Sequence, residues 1–247
     1  MFVKSTLDQA SNLIRLTVAD RPVSITAVAL GAGVLFVVVL YGATFGASEG
    51  GLASRIHHEI GLSRDRSMGE IFNYGMAFLA SVLFFLAFIE IRSPMLLFLS
   101  ALMGFIWFDD ASSYHERFGG WLVANFNLNA LPGLRPQDTG EITAWAIAAL
   151  ALLALLLFAL HRRRTGDLGI LALVMVGFIL LVMCGIVADL LHIAAPGRYN
   201  LVLNIVEDGG EMLAVAYLAS LALSIARNAV NYYDAVRLDV EMGGRNA

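Results

Sequence analysis

Residues 143–164 read TAWAIAALALLALLLFALHRRR, an uncharged apolar run closed by His161 and three consecutive arginines. About 20 such residues are what an α-helix needs to cross a hydrocarbon core of about 30 Å. Inside that core every backbone N–H and C=O must be satisfied within the segment, which a helix achieves and an irregular chain does not. Arg162, Arg163 and Arg164 then hold the end of the span at the headgroups, and basic loops favour the cytoplasmic side. One segment predicts both an element and its direction.

Five more apolar stretches of similar length surround it, at about 24–46, 71–91, 95–113, 168–191 and 202–225. Composition agrees: 59% of the 247 residues are hydrophobic and 15% charged, against about 45–50% and about 25% in soluble domains. The mean hydropathy is +0.75. The expected fold is all-α, a polytopic membrane bundle of about six transmembrane helices. Residues 1–23 interleave Leu7, Leu13, Ile14, Leu16 and Val18 with Asp8, Gln9 and Arg15, the pattern of an amphipathic interfacial helix and not of a cleaved signal. The domain reading is an N-terminal segment (1–23), a six-helix membrane domain (24–227) and a cytoplasmic tail (228–247). Pro94 predicts a tight turn between the second and third spans. The connections 47–69 and 114–142 carry the Gly, Asn, Pro and Asp residues of irregular structure.

With six spans both termini share a side. That side holds Lys4, Arg15, Arg21, Arg92, Arg162, Arg163, Arg164, Arg227, Arg237 and Arg245, ten of the sixteen basic residues. The termini are therefore expected in the cytoplasm, and the location expected is a bacterial inner membrane. Asp109, Asp110, His115 and Glu116 close the third span, Asp189 and His192 the fifth, and Glu207, Asp208 and Glu211 open the sixth. All fall on the opposite, non-cytoplasmic side, although none entered the count. Ionisable groups at membrane depth are costly and by default mark a functional site.

Helical spacing sorts them. Asp109, Ser112 and Glu116 share a stripe, and His115 points away from it unless the helix breaks, as Gly119-Gly120 would permit. Asp189 and His192 are three apart, Glu207 and Glu211 four apart, so each pair can reach one ion. Glu70 and Asn73 share a face at the entry of the second span, which brings Glu70 to the same centre. The expected metal ligands are Glu70, Asp109, His115, Glu116, Asp189, His192, Glu207 and Glu211, with Glu116 or Glu211 as a catalytic base. Carboxylates with imidazoles suit Zn²⁺, Mn²⁺ or iron. The competing explanation is hydrated acids at helix ends, with Glu207 and Asp208 stabilised by a helix dipole. His57-His58-Glu59 is a second candidate, as a solvated loop or as a lid. Trp107, Trp121 and Trp145 read as interfacial anchors, and Gly31, Gly33, Gly42 and Gly46 as close-packing positions of the first span.

The Asp-Asp-x4-His-Glu and Glu-Asp-x2-Glu patterns resemble a group of bacterial multi-pass membrane proteins of uncharacterised activity. A looser likeness to the alkaline ceramidase superfamily implies zinc held by acids and histidines at helix ends. The chain departs from that pattern in having six spans and no His-x3-His pair on the last.

Several chemistries are set aside. Lys4 is the only lysine, which removes a retinal Schiff base within the bundle. His161 and His192 lie at opposite faces, so no axial haem pair forms. Cys184 is the only cysteine, so no intrachain disulfide exists. No phosphate loop or nucleic-acid patch is present. The function expected is a metal-dependent hydrolase or oxidase acting on a lipid or lipid-like substrate. The rivals are a non-catalytic subunit bound to a membrane protein partner or to copies of itself, and an ion or proton transporter. No ionisable residue sits at mid-span, which counts against a proton path.

Overall fold

Serine and proline decide where the helices of this chain begin. Ser67 caps the helix Met68–Ile91, its hydroxyl accepting from the Glu70 N–H at 3.2 Å, and Ser93 caps the helix Pro94–Ser112, accepting from Met95 N–H at 3.2 Å. Pro94 and Pro136 occupy first-turn positions of the helices Pro94–Ser112 and Pro136–His161, where the missing N–H is not needed. The computed structural model describes residues 2–47, 50–62, 67–131, 134–187 and 197–243. Asp189 and His192 lie outside the described residues.

The elements are α1 (Phe2–Ala19), α2 (Arg21–Thr44), α3 (Leu52–Ile60), α4 (Met68–Ile91), α5 (Pro94–Ser112), α6 (Tyr114–Phe126), α7 (Pro136–His161) and α8 (Asp167–Val182). A π-helical turn (Met183–Val187) extends α8. Later come α9 (Asn200–Asn204), a second π-helical turn (Ile205–Gly209) and α10 (Gly210–Gly243). Among the described residues six helices are long and apolar enough to cross a membrane, and there is no strand. The chain is an all-α polytopic bundle. Both long connections contain a helix, α3 and α6, where the sequence suggested irregular structure.

Burial places the sixth span at the centre. Some 61% of its most apolar window is buried, against 11% for α2 and for α7. The outer helices show lipid their Leu, Ile, Val and Phe side chains, as Leu35, Phe36, Leu150 and Leu157 do. Polar side chains join α4 to α5: Ser81 donates to the Ser100 carbonyl and Ser100 to the Ser81 carbonyl, each at 2.9 Å. Small residues and interhelical hydrogen bonds replace the hydrophobic drive that lipid removes. Of the first-span glycines, Gly31, Gly42 and Gly46 face open space, and only Gly33 meets a neighbour, Phe72. The close approach lies elsewhere. Gly119 of α6 and Gly140 of α7 touch backbone to backbone.

At the end shared by the termini, Asp167 is fully buried. Its carboxylate accepts from Ser93 Oγ at 2.8 and 2.9 Å, from Tyr233 OH at 2.5 Å and from Arg164 N–H at 2.6 Å. This network ties the starts of α5 and α8 to α10. The helix α1 packs on the same region: Thr17 and Ser224 share a 2.6 Å hydrogen bond, and Arg227 pairs with Asp20 at 2.9 Å. Beyond Arg227, α10 continues with Ala229, Tyr232 and Val236 buried, so this part of the 228–247 segment is packed helix. Arg92, at the turn after α4, lies over the Phe88 ring, 6.0 Å from its centroid.

Candidate functional site: an acid-lined cavity

The third span, α5, ends at Ser112. Ser113 takes a left-handed conformation, φ +49°, and α6 sets off in a new direction. This break precedes Gly119-Gly120, which serve packing instead. Its effect is to return His115 to the span it has just left. The His115 N–H donates to Asp109 Oδ1 at 3.0 Å, and His115 Nδ1 lies 2.9 Å from the same oxygen. Trp145 of α7 donates its indole N–H to Asp109 Oδ2 at 2.9 Å, and its ring lies 5.0 Å from the His115 ring. Trp145 is thus more than an interfacial anchor. The hydrogen bond from Asp109, with the charges of Asp109, Glu116 and Glu141 adding to it, lifts the His115 pKa above the ordinary histidine value despite partial burial.

On the other side of His115 a cavity of about 360 Å³ opens. The first turns of α4 contribute Gly69, Glu70, Asn73 and Tyr74. The end of α5 contributes Asp110 and Ala111, and Ser113, His115 and Glu116 follow. The π turn before α10 contributes Asp208, α10 contributes Glu211 and Met212, and Leu62 closes the wall. Five carboxylates line this space, and among the described lining residues the only group able to become positive is His115. Tyr74 donates to Glu70 Oε2 at 2.8 Å.

Two π turns shape one wall. Glu211 lies against Gly185, and a side chain at that position would run into its carboxylate. Cys184 in turn packs against Gly210, where a side chain would run into its sulfur. π-helical turns recur at functional sites because they re-aim side chains inside an otherwise regular helix. Asn73 is buried, and among the described residues its Oδ1 has no hydrogen-bond partner; Asn204 Oδ1 has none there either.

The cavity gathers Glu70, His115, Glu116 and Glu211 of the expected set. Asp109 stands behind His115 with both carboxylate oxygens engaged, outside the cavity lining. Glu207 is also outside that lining, and Asp208 is there instead. Asp110 and Asp208 are the acidic lining residues that helical spacing did not select, whereas Asn73 lines the space beside Glu70 as their shared helical face implied. Among the described residues, no three of His, Cys, Asp and Glu stand close enough together to hold one metal ion directly. His57, on α3, packs against α2 and is not part of the cavity lining: its ring stacks on Tyr41 with centroids 4.6 Å apart, and its Nδ1 lies 3.1 Å from Thr44 Oγ1.

These features define a class: a polytopic helix bundle carrying an acidic cavity at the end of the spans opposite its termini. The chain belongs to the family described as Domain of unknown function (DUF8692), which matches residues 24–225. No curated protein and no solved structure matches it.

Proposed function

We propose that this membrane protein binds a divalent cation in the acid-lined cavity and uses it to process a lipid or lipid-like substrate at the non-cytoplasmic face, as a metal-dependent hydrolase or oxidase. The observation that carries this reading is the convergence of Glu70, Asp110, Glu116, Asp208 and Glu211 on one space with no lysine or arginine among its described lining residues. Carboxylates crowded together repel one another unless protons, water or a cation compensate them. The volume lies within the range of about 300–1,000 Å³ that small-molecule sites occupy, so an ion and part of a substrate fit together.

The arrangement behind His115 supports the same reading. A histidine that ligates a metal usually passes its other ring N–H to a carboxylate, which fixes the tautomer and strengthens the ligand. Asp109 occupies that place, and the Trp145 indole fixes Asp109. With Nδ1 committed, Nε2 remains for a cation or for a substrate proton. A bound cation would polarise a substrate oxygen or lower the pKa of a water. Glu116 or Glu211 would accept the proton that this water gives up.

The test is cation titration of the full chain, purified in detergent or nanodiscs and stripped with chelator, by calorimetry with Zn²⁺, Mn²⁺, Fe²⁺ and Mg²⁺. The expected result is binding of one ion per chain, weakened in Glu211→Gln and His115→Ala. If none of the ions binds, the cation reading falls and a non-catalytic subunit role takes its place.

A further inference from the structure

The lining sorts by donor chemistry. Glu70, Asp110, Glu116, Asp208 and Glu211 offer carboxylate oxygen, and Asn73 offers an amide oxygen from a side chain only 8% exposed. Asn73 sits one helical turn after Glu70 on α4, facing the same space. Its Oδ1 accepts no hydrogen bond from any described residue. A buried acceptor left unsatisfied is costly, and native structures rarely keep one without water, an ion or a ligand to fill it. The thiol of Cys184 is packed on Gly210 and lies outside the lining. The surroundings are therefore hard oxygen, with one imidazole at the edge.

Size points the same way. An ion stripped of water and held directly needs ligands about 2 Å away on several sides. A cavity of about 360 Å³ instead leaves room for an ion that keeps its water. Mg²⁺ behaves in this manner: it dehydrates reluctantly, retains several waters and takes one or two carboxylates directly. Its polarised waters are strong donors, which is what an amide oxygen and a ring of carboxylates accept. Resting on the cation reading above, we propose that the cavity is selective for a hydrated hard cation of the Mg²⁺ and Mn²⁺ class, and that Asn73 Oδ1 receives a hydrogen bond from one of the ion's bound waters.

The decisive experiment uses Mn²⁺ as the probe on the full chain, followed by electron paramagnetic resonance, which reads the water bound to the ion. Cobalt(III) hexaammine, an inert mimic of a hydrated cation, is the competitor. The expected results are several retained waters, displacement of Mn²⁺ by the hexaammine, and a loss of Mn²⁺ affinity of about tenfold or more in Asn73→Ala, the scale of an outer-shell ligand. Asn73→Asp, which keeps the shape and an oxygen, retains binding; it serves as the reference if Asn73→Ala does not fold. Tight Zn²⁺ binding that Mn²⁺ and Mg²⁺ cannot displace, or Mn²⁺ bound without water, overturns this inference while leaving the cation reading intact. Failure of every cation to bind overturns both.

Discussion

Asp109 and His115 are six residues apart, on two different helices, yet their side chains meet at 2.9 Å because the chain turns left-handed at Ser113 between them. On a continuous α-helix that spacing would set them well apart around the axis. The turn converts a mismatch of spacing into a pair. Asp109→Asn should bring the His115 pKa back toward the ordinary histidine value, visible as a shift of its ring resonances in an NMR pH titration.

The same pair has a stability consequence. A histidine whose pKa is raised by folding contributes stability that is complete below its unfolded value of about 6.5 and is lost as pH rises through the higher folded value. The melting temperature of the wild type should therefore fall across the interval above pH 6.5, and that slope should flatten in Asp109→Asn. An unchanged slope would show that His115 gains nothing from Asp109.

Ser113 itself carries the left-handed backbone. Glycine there should stabilise the fold or leave it neutral. Ser113→Val should cost about 1–2 kcal/mol, the penalty of placing a side chain in that region. Thermal unfolding of both variants checks the sign.

Gly140→Ala should be far more damaging than Gly31→Ala. A methyl group at 140 meets the backbone of Gly119, whereas at 31 nothing lies within 4 Å. Overpacking of this kind costs about 1–3 kcal/mol. Equal melting temperatures for the two variants would contradict the packing of α6 on α7.

At the far end, Ser93→Ala removes one of the donors to the buried Asp167. A loss of about 1–3 kcal/mol is expected for a buried acceptor deprived of its partner. Cation binding should be unaffected, because α5 runs the length of the membrane between Ser93 and the cavity. Calorimetry on the folded variant separates the two effects.

The spans were legible because hydropathy is local and additive: 143–160 declares itself whatever surrounds it. The cavity wall was half legible. Glu70, His115, Glu116 and Glu211 followed from where the spans end, but Asp109 and Glu207 were each chosen where a neighbour, Asp110 or Asp208, lines the space. Both slips come from counting along an ideal helix through a place where the helix is not ideal. One is the break at Ser113, the other the π turn at Ile205–Gly209. The role of Asp167 is hidden in the sequence for a different reason. An acid at the start of a helix looks like an ordinary dipole partner, and its donors Ser93 and Tyr233 are far away in sequence.

The π turn before α10 has a consequence for how this protein can change. It divides the sixth span like a shaft cut with two screw threads of different phase. Asn204, ahead of it, is set against Tyr41 of α2 through a 2.6 Å hydrogen bond. Met212, Val215, Ala219 and Ala222, beyond it, are set into the core. A residue gained or lost within the joint alters which acid is offered to the cavity without dragging either thread out of its groove. The architecture and the chemistry of this helix are thereby free to vary separately.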